Sequence, residues 1–223
     1  MSILNLNIPA VPQSFYNDTA ASANKAKITG DITAKYGKYI DNIAALSNVP
    51  AKLIKSFIFI ESGGNQNAKT PSAIGLMQVG KATASDVIVK EKSTGRLRPE
   101  EEAILKKYIG QDKWTKNGLD KLKPNQKSTG ATWIGEWELL KPEFNLMVGS
   151  ILLGQLIDEF TENGVARLDK VVVVYNTGRY SATAKKAIAF TGGTAELIAA
   201  MPSGQADYIK KLLGKNGTLD VLS

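Results

Sequence analysis

Glu61 closes the last turn of an apolar stripe, and that placement is one that can make a carboxyl group an acid. In the segment SNVPAKLIKSFIFIESGGN, Ile54, Phe57 and Ile58 fall at i, i+3 and i+4 of a helix, with Glu61 at i+7 on the same face. Desolvation against that stripe and the negative end of the helix both favour the protonated form, as a general acid requires. The competing reading is a helix-end glutamate that reaches water past the core, and spacing alone favours it. A second candidate is Gln78, whose amide sits inside the apolar run PSAIGLMQV and offers a donor and an acceptor together. Tyr175 and Asn176, after four valines, add a hydroxyl and an amide.

What else the chain can use is limited by two absences. Its 223 residues contain no cysteine and no histidine. Disulfides, thiol nucleophiles, zinc fingers, Ser-His-Asp triads and histidine-ligated catalytic metals are therefore excluded. Chemistry is left to carboxylates, hydroxyls, amides, Lys, Arg and Tyr. No metal and no cofactor are expected.

The length suits one large domain with decorations, and 43% hydrophobic residues are enough to bury a core. The net charge of +7 is uneven. Through Lys141 there are 20 bases against 13 acids, whereas from Pro142 onward there are 8 of each. A basic surplus suits a polyanion, an anionic envelope polymer or a membrane surface, but acids interrupt the bases throughout, so no nucleic-acid partner is expected. No stretch approaches the roughly 18–20 apolar residues of a membrane span. The N-terminal MSILNLNIPAVPQS has neither a charged leader nor an apolar core of secretory length, so a route other than a conventional signal is expected.

The elements that would hold these groups read as mainly α. Residues 1–30, rich in Asn, Ser, Ala and Pro, read as an extended arm, with helical periodicity starting near Asp31. Ser47 or Asn48 is expected to cap the helix that ends in Glu61, with Pro50 in its first turn and Gly63-Gly64 stopping it. Further helices are expected from Lys81, over PEEEAILKKYI at 99–109, over 142–160, and around 182–190, 194–200 and 204–213. Residues 111–130 read as a loop with five lysines. The valine run DKVVVVYN at 169–176 fits a strand by propensity or a buried helix by periodicity.

Glu61-Ser62-Gly63-Gly64 followed by Gly75-Leu76-Met77-Gln78 resembles the signature of the soluble lytic transglycosylases of peptidoglycan. Ala82-Thr83-Ala84 continues the likeness, with Lys81 where a proline is usual. Pro142-Glu143-Phe144-Asn145 with Gly149, Tyr175-Asn176-Thr177-Gly178 and Tyr208-Ile209-Lys210-Lys211 are similar to the family's later blocks. Five blocks in order over residues 45–213 make the match specific. The resemblance implies a goose-lysozyme-like helical domain over 31–223, a helix for the valine run, and an insertion at about 91–140, because 66 residues separate Gln78 from Asn145.

By the same resemblance Glu61 is the catalytic acid. It would protonate the oxygen between N-acetylmuramic acid and N-acetylglucosamine, then act as base on the muramic C6 hydroxyl to close a 1,6-anhydro ring. No water attacks, so no second carboxylate is needed. Expected substrate contacts are Ser62, Met77, Gln78, Asn145, Tyr175, Asn176 and Tyr208. Duller alternatives stand beside them: a helix-end hydroxyl for Ser62, packing for Met77, loop ties for Asn145 and Asn176, and a locally satisfied core tyrosine for Tyr175. Tyr208 borders the site or steadies the last long helix, and Trp133 and Trp137 stack on sugars or fill core.

Two other functions compete. One is a lysozyme-type muramidase using water and a further carboxylate, with Asp86, Asp112 or Glu143 as candidates. The other is a non-catalytic virion or channel component. The expected setting is a phage particle, acting on murein in the bacterial periplasm, with the arm and the insertion docking other virion or tail proteins; release from the host cytoplasm as an endolysin is the alternative.

Overall fold

Glycine and proline set the ends of the helices in the computed structural model, which describes residues 22–126 and 130–222. Helix α1 spans Ser22–Ser47 and α2 spans Ala51–Ser62. Between them Asn48 turns the chain at φ 56°, and Pro50 occupies the N-cap of α2 without a side-chain cap. The expected cap by Ser47 or Asn48 is thus not formed: the Ser47 hydroxyl donates back to the Ile43 carbonyl, 2.8 Å away, because the three-residue link leaves it inside α1. Gly63 ends α2 in the left-handed conformation at φ 59°, its N–H bonded to the Phe59 carbonyl.

After an irregular stretch, α3 spans Lys81–Ser93 and α4 spans Pro99–Ile109. Helix α4 opens on proline and three glutamates, and Glu101 accepts the Arg98 N–H at 2.9 Å. Residues 111–130, expected as a loop, contain helix α5 (Gln111–Lys116) and a 3₁₀ turn at Leu119–Lys121. The physical reason is Trp114: it is fully buried and gives this lysine-rich segment an apolar anchor that loop-like composition conceals. Helix α6 is Glu136–Leu139, α7 is Pro142–Glu159 and α8 is Leu168–Thr177. Strands β1 (Thr161–Glu162) and β2 (Val165–Ala166) form a hairpin about Asn163-Gly164, both at positive φ. Helices α9 (Ala182–Ala189), α10 (Thr194–Ala200), α11 (Ser203–Leu213) and α12 (Thr218–Val221) complete the chain.

The protein is mainly helical, as expected. Helix α7 is apolar on nearly every side and accordingly lies at the centre, packed by α1, α3, α4, α6 and α8. Helix α2 lies against α1, α11 and α12, and α8 against α7, α9 and α11. Fully buried Leu53, Phe57, Phe144 and Leu153 tie these layers together, each worth about 1.5–3 kcal/mol of burial. The valine run is helical, with Val171, Val172, Val173 and Val174 all buried. Helices α7, α9 and α11 pack around it, so its apolar residues are buried against helices rather than against a sheet.

Of the expected arm at 1–30, residues 1–21 lie outside the described residues, whereas the stretch from Ser22 is already helix α1. Polar composition hid that start, because α1 buries only a narrow strip there, beginning with Lys25 and Thr29. The expected insertion at about 91–140 starts inside α3 and holds α4, α5 and α6; α4 packs on α7. Among the described residues no helix is long and apolar enough to cross a membrane.

Candidate active site

Helix α2 carries Glu61 one residue from its end, with Ile54, Phe57 and Ile58 fully buried on the preceding turns. The carboxyl group is partly buried, and loss of hydration pushes its pKa up from 4.5 to about 7. Opposing that rise is one hydrogen bond: the Tyr208 hydroxyl, presented by α11, donates to Glu61 Oε1. No described cation pairs with the carboxylate. Because Oε1 accepts, a proton on Glu61 resides on Oε2, free to be passed to a neighbouring oxygen.

Two tyrosines face this acid. Burial drives both Tyr175 and Tyr208 well above the ordinary phenol range, and the nearby Glu61 charge adds to it. They remain neutral hydroxyl donors. Tyr175, from α8, stacks edge-on against Phe57 at 4.8 Å between ring centres and donates to the Met77 carbonyl at 2.8 Å. It therefore joins α2, α8 and the loop that precedes α3.

That loop, residues 63–80, is shaped by what it hydrogen-bonds. Tyr36 of α1 reaches the Gly64 carbonyl at 3.2 Å and Gln66 Oε1 at 3.3 Å. Ile74 bridges both Lys69 and Val79 in narrow antiparallel pairings. Asn145 is fully buried at the first turn of α7, where its Oδ1 accepts the Met77 N–H at 2.8 Å. Its Nδ2 donates to the Ile74 and Leu139 carbonyls at 2.8 and 3.0 Å. Gly75, at φ 84°, passes so close that a Cβ would lie 2.3 Å from Asn145 Nδ2 and 2.5 Å from the Leu139 carbonyl. A Cβ on Gly149 of α7 would come within 2.5 Å of the Met77 sulfur.

These contacts separate the expected site residues. Glu61, Tyr175 and Tyr208 are brought together. Asn145 is not a cleft amide: it is fully buried, bonded to Met77 and Ile74 of the loop and to Leu139 of α6. Met77 is fully buried against Gly149, so its side chain packs, and only its backbone carbonyl meets Tyr175. The Ser62 hydroxyl donates to the Ile58 carbonyl at 3.1 Å and accepts the Gly64 N–H at 3.2 Å, the helix-end use. Gln78 adopts φ 45° and spends both donors on the Ala68 and Gly75 carbonyls at 3.0 and 2.8 Å. Among the described residues its carbonyl oxygen is left over. Asn176 is exposed on the last turn of α8. Trp133 is half-buried against the core, while Trp137 is 58% exposed with the Lys141 ammonium 4.5 Å above its ring.

The carboxylates considered as second catalytic groups lie in different settings. Glu143 is held by Lys107 at 2.6 Å and by the Tyr108 hydroxyl at 2.7 Å, on the α4 side of α7. Asp112 is exposed in the first turn of α5. Asp86 of α3 lines a cavity of about 430 Å³ that Tyr175 also lines. Sequence reasoning overlooked Tyr36, whose helical spacing signalled core but not its polar tip, and Lys90 and Tyr180 beside that cavity. Tyr180 did carry a signal: an aromatic set between Gly178-Arg179 and a serine cap, in a turn with no apolar neighbours.

Residues 38–108 match the family described as Transglycosylase SLT domain. The matched segment runs from within α1 through Glu61, the Gly-Leu-Met-Gln loop and α3 to the end of α4. It therefore holds the candidate acid and the loop beside it, and it extends into the stretch expected as an insertion. SLT domains are those of peptidoglycan-cleaving transglycosylases. Asn145, Tyr175 and Tyr208 lie beyond the match and reach the same place only through the fold. No curated protein matches the chain.

Proposed function

We propose that the protein is a peptidoglycan lytic transglycosylase in which Glu61 is the acid and then the base. The observation that carries this reading is the setting of Glu61: a carboxyl group raised to about 7 by lost hydration, touched by a tyrosine hydroxyl and by no described cation. Such a group is protonated in a useful fraction near neutral pH and, once it has given up its proton, is a stronger base than a free glutamate. In the proposed reaction Glu61 gives its proton to the oxygen linking N-acetylmuramic acid to N-acetylglucosamine as that bond breaks. The resulting carboxylate takes the proton of the muramic C6 hydroxyl, whose oxygen closes on C1 to form the 1,6-anhydro end. Proton balance returns Glu61 to its starting form. Acid–base assistance of this kind supplies about 10²–10⁴ in rate; Tyr208 positions the carboxyl, and Tyr175 holds the loop wall against α2 and α8.

The test is clearing of purified peptidoglycan by wild type and by Glu61→Gln, with the reducing ends of the products read by mass spectrometry. Anhydro-muramic ends from wild type and no clearing by the variant support the proposal; equal clearing, or none from either, removes it. Hydrolysis is the second reading, favoured by Asp86 lining the cavity beside Tyr175. Hydrated muramic ends, lost on Asp86→Asn, would decide for it. The proposal extends to wall cutting during phage entry, with the arm and residues 91–140 as docking surfaces. Mass spectrometry of purified particles checks that setting.

A further inference from the structure

Helix α1 takes one of its lysines out of water. Lys25 is 6% exposed, whereas Lys27, Lys35 and Lys38 of the same helix are exposed. A lysine is seldom buried without being paired, and one partner of Lys25 lies at the far end of the chain. Its Nζ donates to the Asn216 carbonyl at 2.8 Å, across 191 residues. Asn216 belongs to the short turn that joins α11 to α12. Hydrogen bonds specify that turn closely. Asn216 takes φ 58°, its N–H donates to Asp220 Oδ2 at 2.8 Å, and the Gly217 N–H reaches the Gly214 carbonyl at 2.7 Å. A Cβ on Gly217 would lie 2.6 Å from the Gly214 carbonyl and 2.9 Å from that of Leu212, so the turn folds directly back onto the end of α11.

The turn matters because of what α11 carries. Tyr208, midway along that helix, donates to Glu61 on α2. Helix α11 lies against α2 and α8, and α12 lies against α1, α2 and α11. Leu212 and Leu219, on either side of the turn, are buried. Apolar burial is non-directional: it holds α11 near α2 without fixing its rise or rotation. A hydrogen bond is directional, and the bond from Lys25 ties the end of α11 to α1. Because α2 also packs along α1, one helix serves as the reference for both the acid and the hydroxyl that touches it.

We propose that Lys25 is a positioning residue: by fastening the α11–α12 turn to α1, it sets the approach of the Tyr208 hydroxyl to Glu61. This deepens the proposed function and rests on it. Neither Lys25 nor the turn lies within the SLT match. Tyr208 from α11 and Tyr175 from α8 are the titratable groups that face Glu61. Burial and the Tyr208 bond move its pKa, rather than a charge on α1 or α12, so Lys25 acts through Tyr208 and not through its own field. At the turn itself the charged groups are Lys25, Asp220 and the exposed Lys211 and Lys215.

The test reads Glu61 directly, by carbon-13 NMR titration of its carboxyl group in wild type, Lys25→Met, Tyr208→Phe and the double variant. Methionine keeps an apolar stem and removes the donor. Lys25→Met is expected to raise the Glu61 midpoint in the same direction as Tyr208→Phe, because the bond favouring the ionised form is weakened. In the Tyr208→Phe background it is expected to add nothing. On peptidoglycan, kcat falls by about 2–10-fold while KM stays within about twofold, as befits a group that touches no substrate. The alkaline limb of the rate moves with the titration. A lysine that only stabilises the fold would lower the melting temperature and leave the midpoint where it was. Asp220→Ala, which frees the same turn from its other side, is expected to give a smaller shift of the same sign, and it carries the test where Lys25→Met does not fold. An unmoved midpoint in the folded variant, or a shift that persists undiminished in the double variant, overturns the inference. Should the titrations behave as expected while Glu61→Gln still cleaves peptidoglycan, the proposed chemistry falls and the positioning by Lys25 stands.

Discussion

The end of α2 and the start of α8 each take a carboxylate out of water, and they do so to opposite ends. Asp169 is completely buried, and every lone pair is answered. Arg167 donates two bonds at 2.9 and 3.0 Å, the Lys170 N–H a third at 3.0 Å and the Thr194 hydroxyl a fourth at 2.9 Å. The same guanidinium reaches the Gly192 carbonyl, so the group pins the turn before α10. Glu61 has one tyrosine hydroxyl and no cation, and its pKa rises to about 7. Burial removes hydration from both; the partners decide whether the result is a brace or an acid.

Removing the carboxylate at each of the two places should separate rate from stability. Glu61→Gln is expected to cut peptidoglycan turnover by at least 10²–10⁴, with the fold intact by circular dichroism. At the other end, Asp169→Ala removes four buried hydrogen bonds and leaves the Arg167 guanidinium only Glu162, at 3.6 Å, and the Gly192 carbonyl; it should cost about 3 kcal/mol in urea unfolding, with activity per folded molecule retained. Turnover lost in the folded fraction of the Asp169 variant would break the contrast.

Asn145→Ala tests whether the loop beside Glu61 depends on a polar brace of its own. It takes the Asn145 bonds from the Met77 N–H and from the Ile74 and Leu139 carbonyls, of which Ile74 keeps the Val79 N–H at 3.1 Å, at a cost of about 2–4 kcal/mol. Here stability and activity should fall together, because the loop bonded to Tyr175 loosens. A stable variant with full activity would show that Tyr175 alone suffices to hold it.

Protonation gives a signature that only the α2 end should show. The folded-state pKa of Glu61 lies above its unfolded value, so the native protein binds more protons between about pH 4.5 and 7. Stability therefore falls as pH rises through that window. Above it, the ionised, partly buried carboxylate costs roughly 1–3 kcal/mol after allowance for its partial exposure. Glu61→Gln should equal wild type in stability at pH 4 and exceed it at pH 8, measured by denaturant midpoints. Turnover should decline on the alkaline side of about pH 7 as the acid is lost. The smallest expected effect is that of Tyr208→Phe. Removing the one donor that holds the pKa down should move the alkaline limb to higher pH, with kcat reduced less than 10-fold. An unmoved limb would show that the hydroxyl does not reach the carboxyl group in solution.

Periodicity made α2, α4, α7 and the closing helices legible, because a helix against a core repeats its apolar residues at a spacing set by backbone geometry alone. The Glu61 stripe was readable for that reason. The valine run was not readable, since a fully buried helix and a buried strand share one pattern, and α5 was not, since a single tryptophan supplied its anchor. At the site, residue type misled where side chains face inward. Met77 and Asn145 lie in the Gly-Leu-Met-Gln loop and the Asn-bearing helix, but their side chains brace that loop from beneath.

Local chemistry and order along the chain determined that this protein is mainly helical, lacks histidine and cysteine chemistry, and carries a glutamate at the foot of an apolar face. Only the tertiary structure decided what that glutamate meets. Tyr208 lies 147 residues away and Tyr175 lies 98 residues beyond Met77; no short-range pattern encodes either approach. Whether a buried carboxylate becomes an acid depends on the water removed from it and the charges left within reach. Both are properties of packed neighbours, which helical spacing cannot specify.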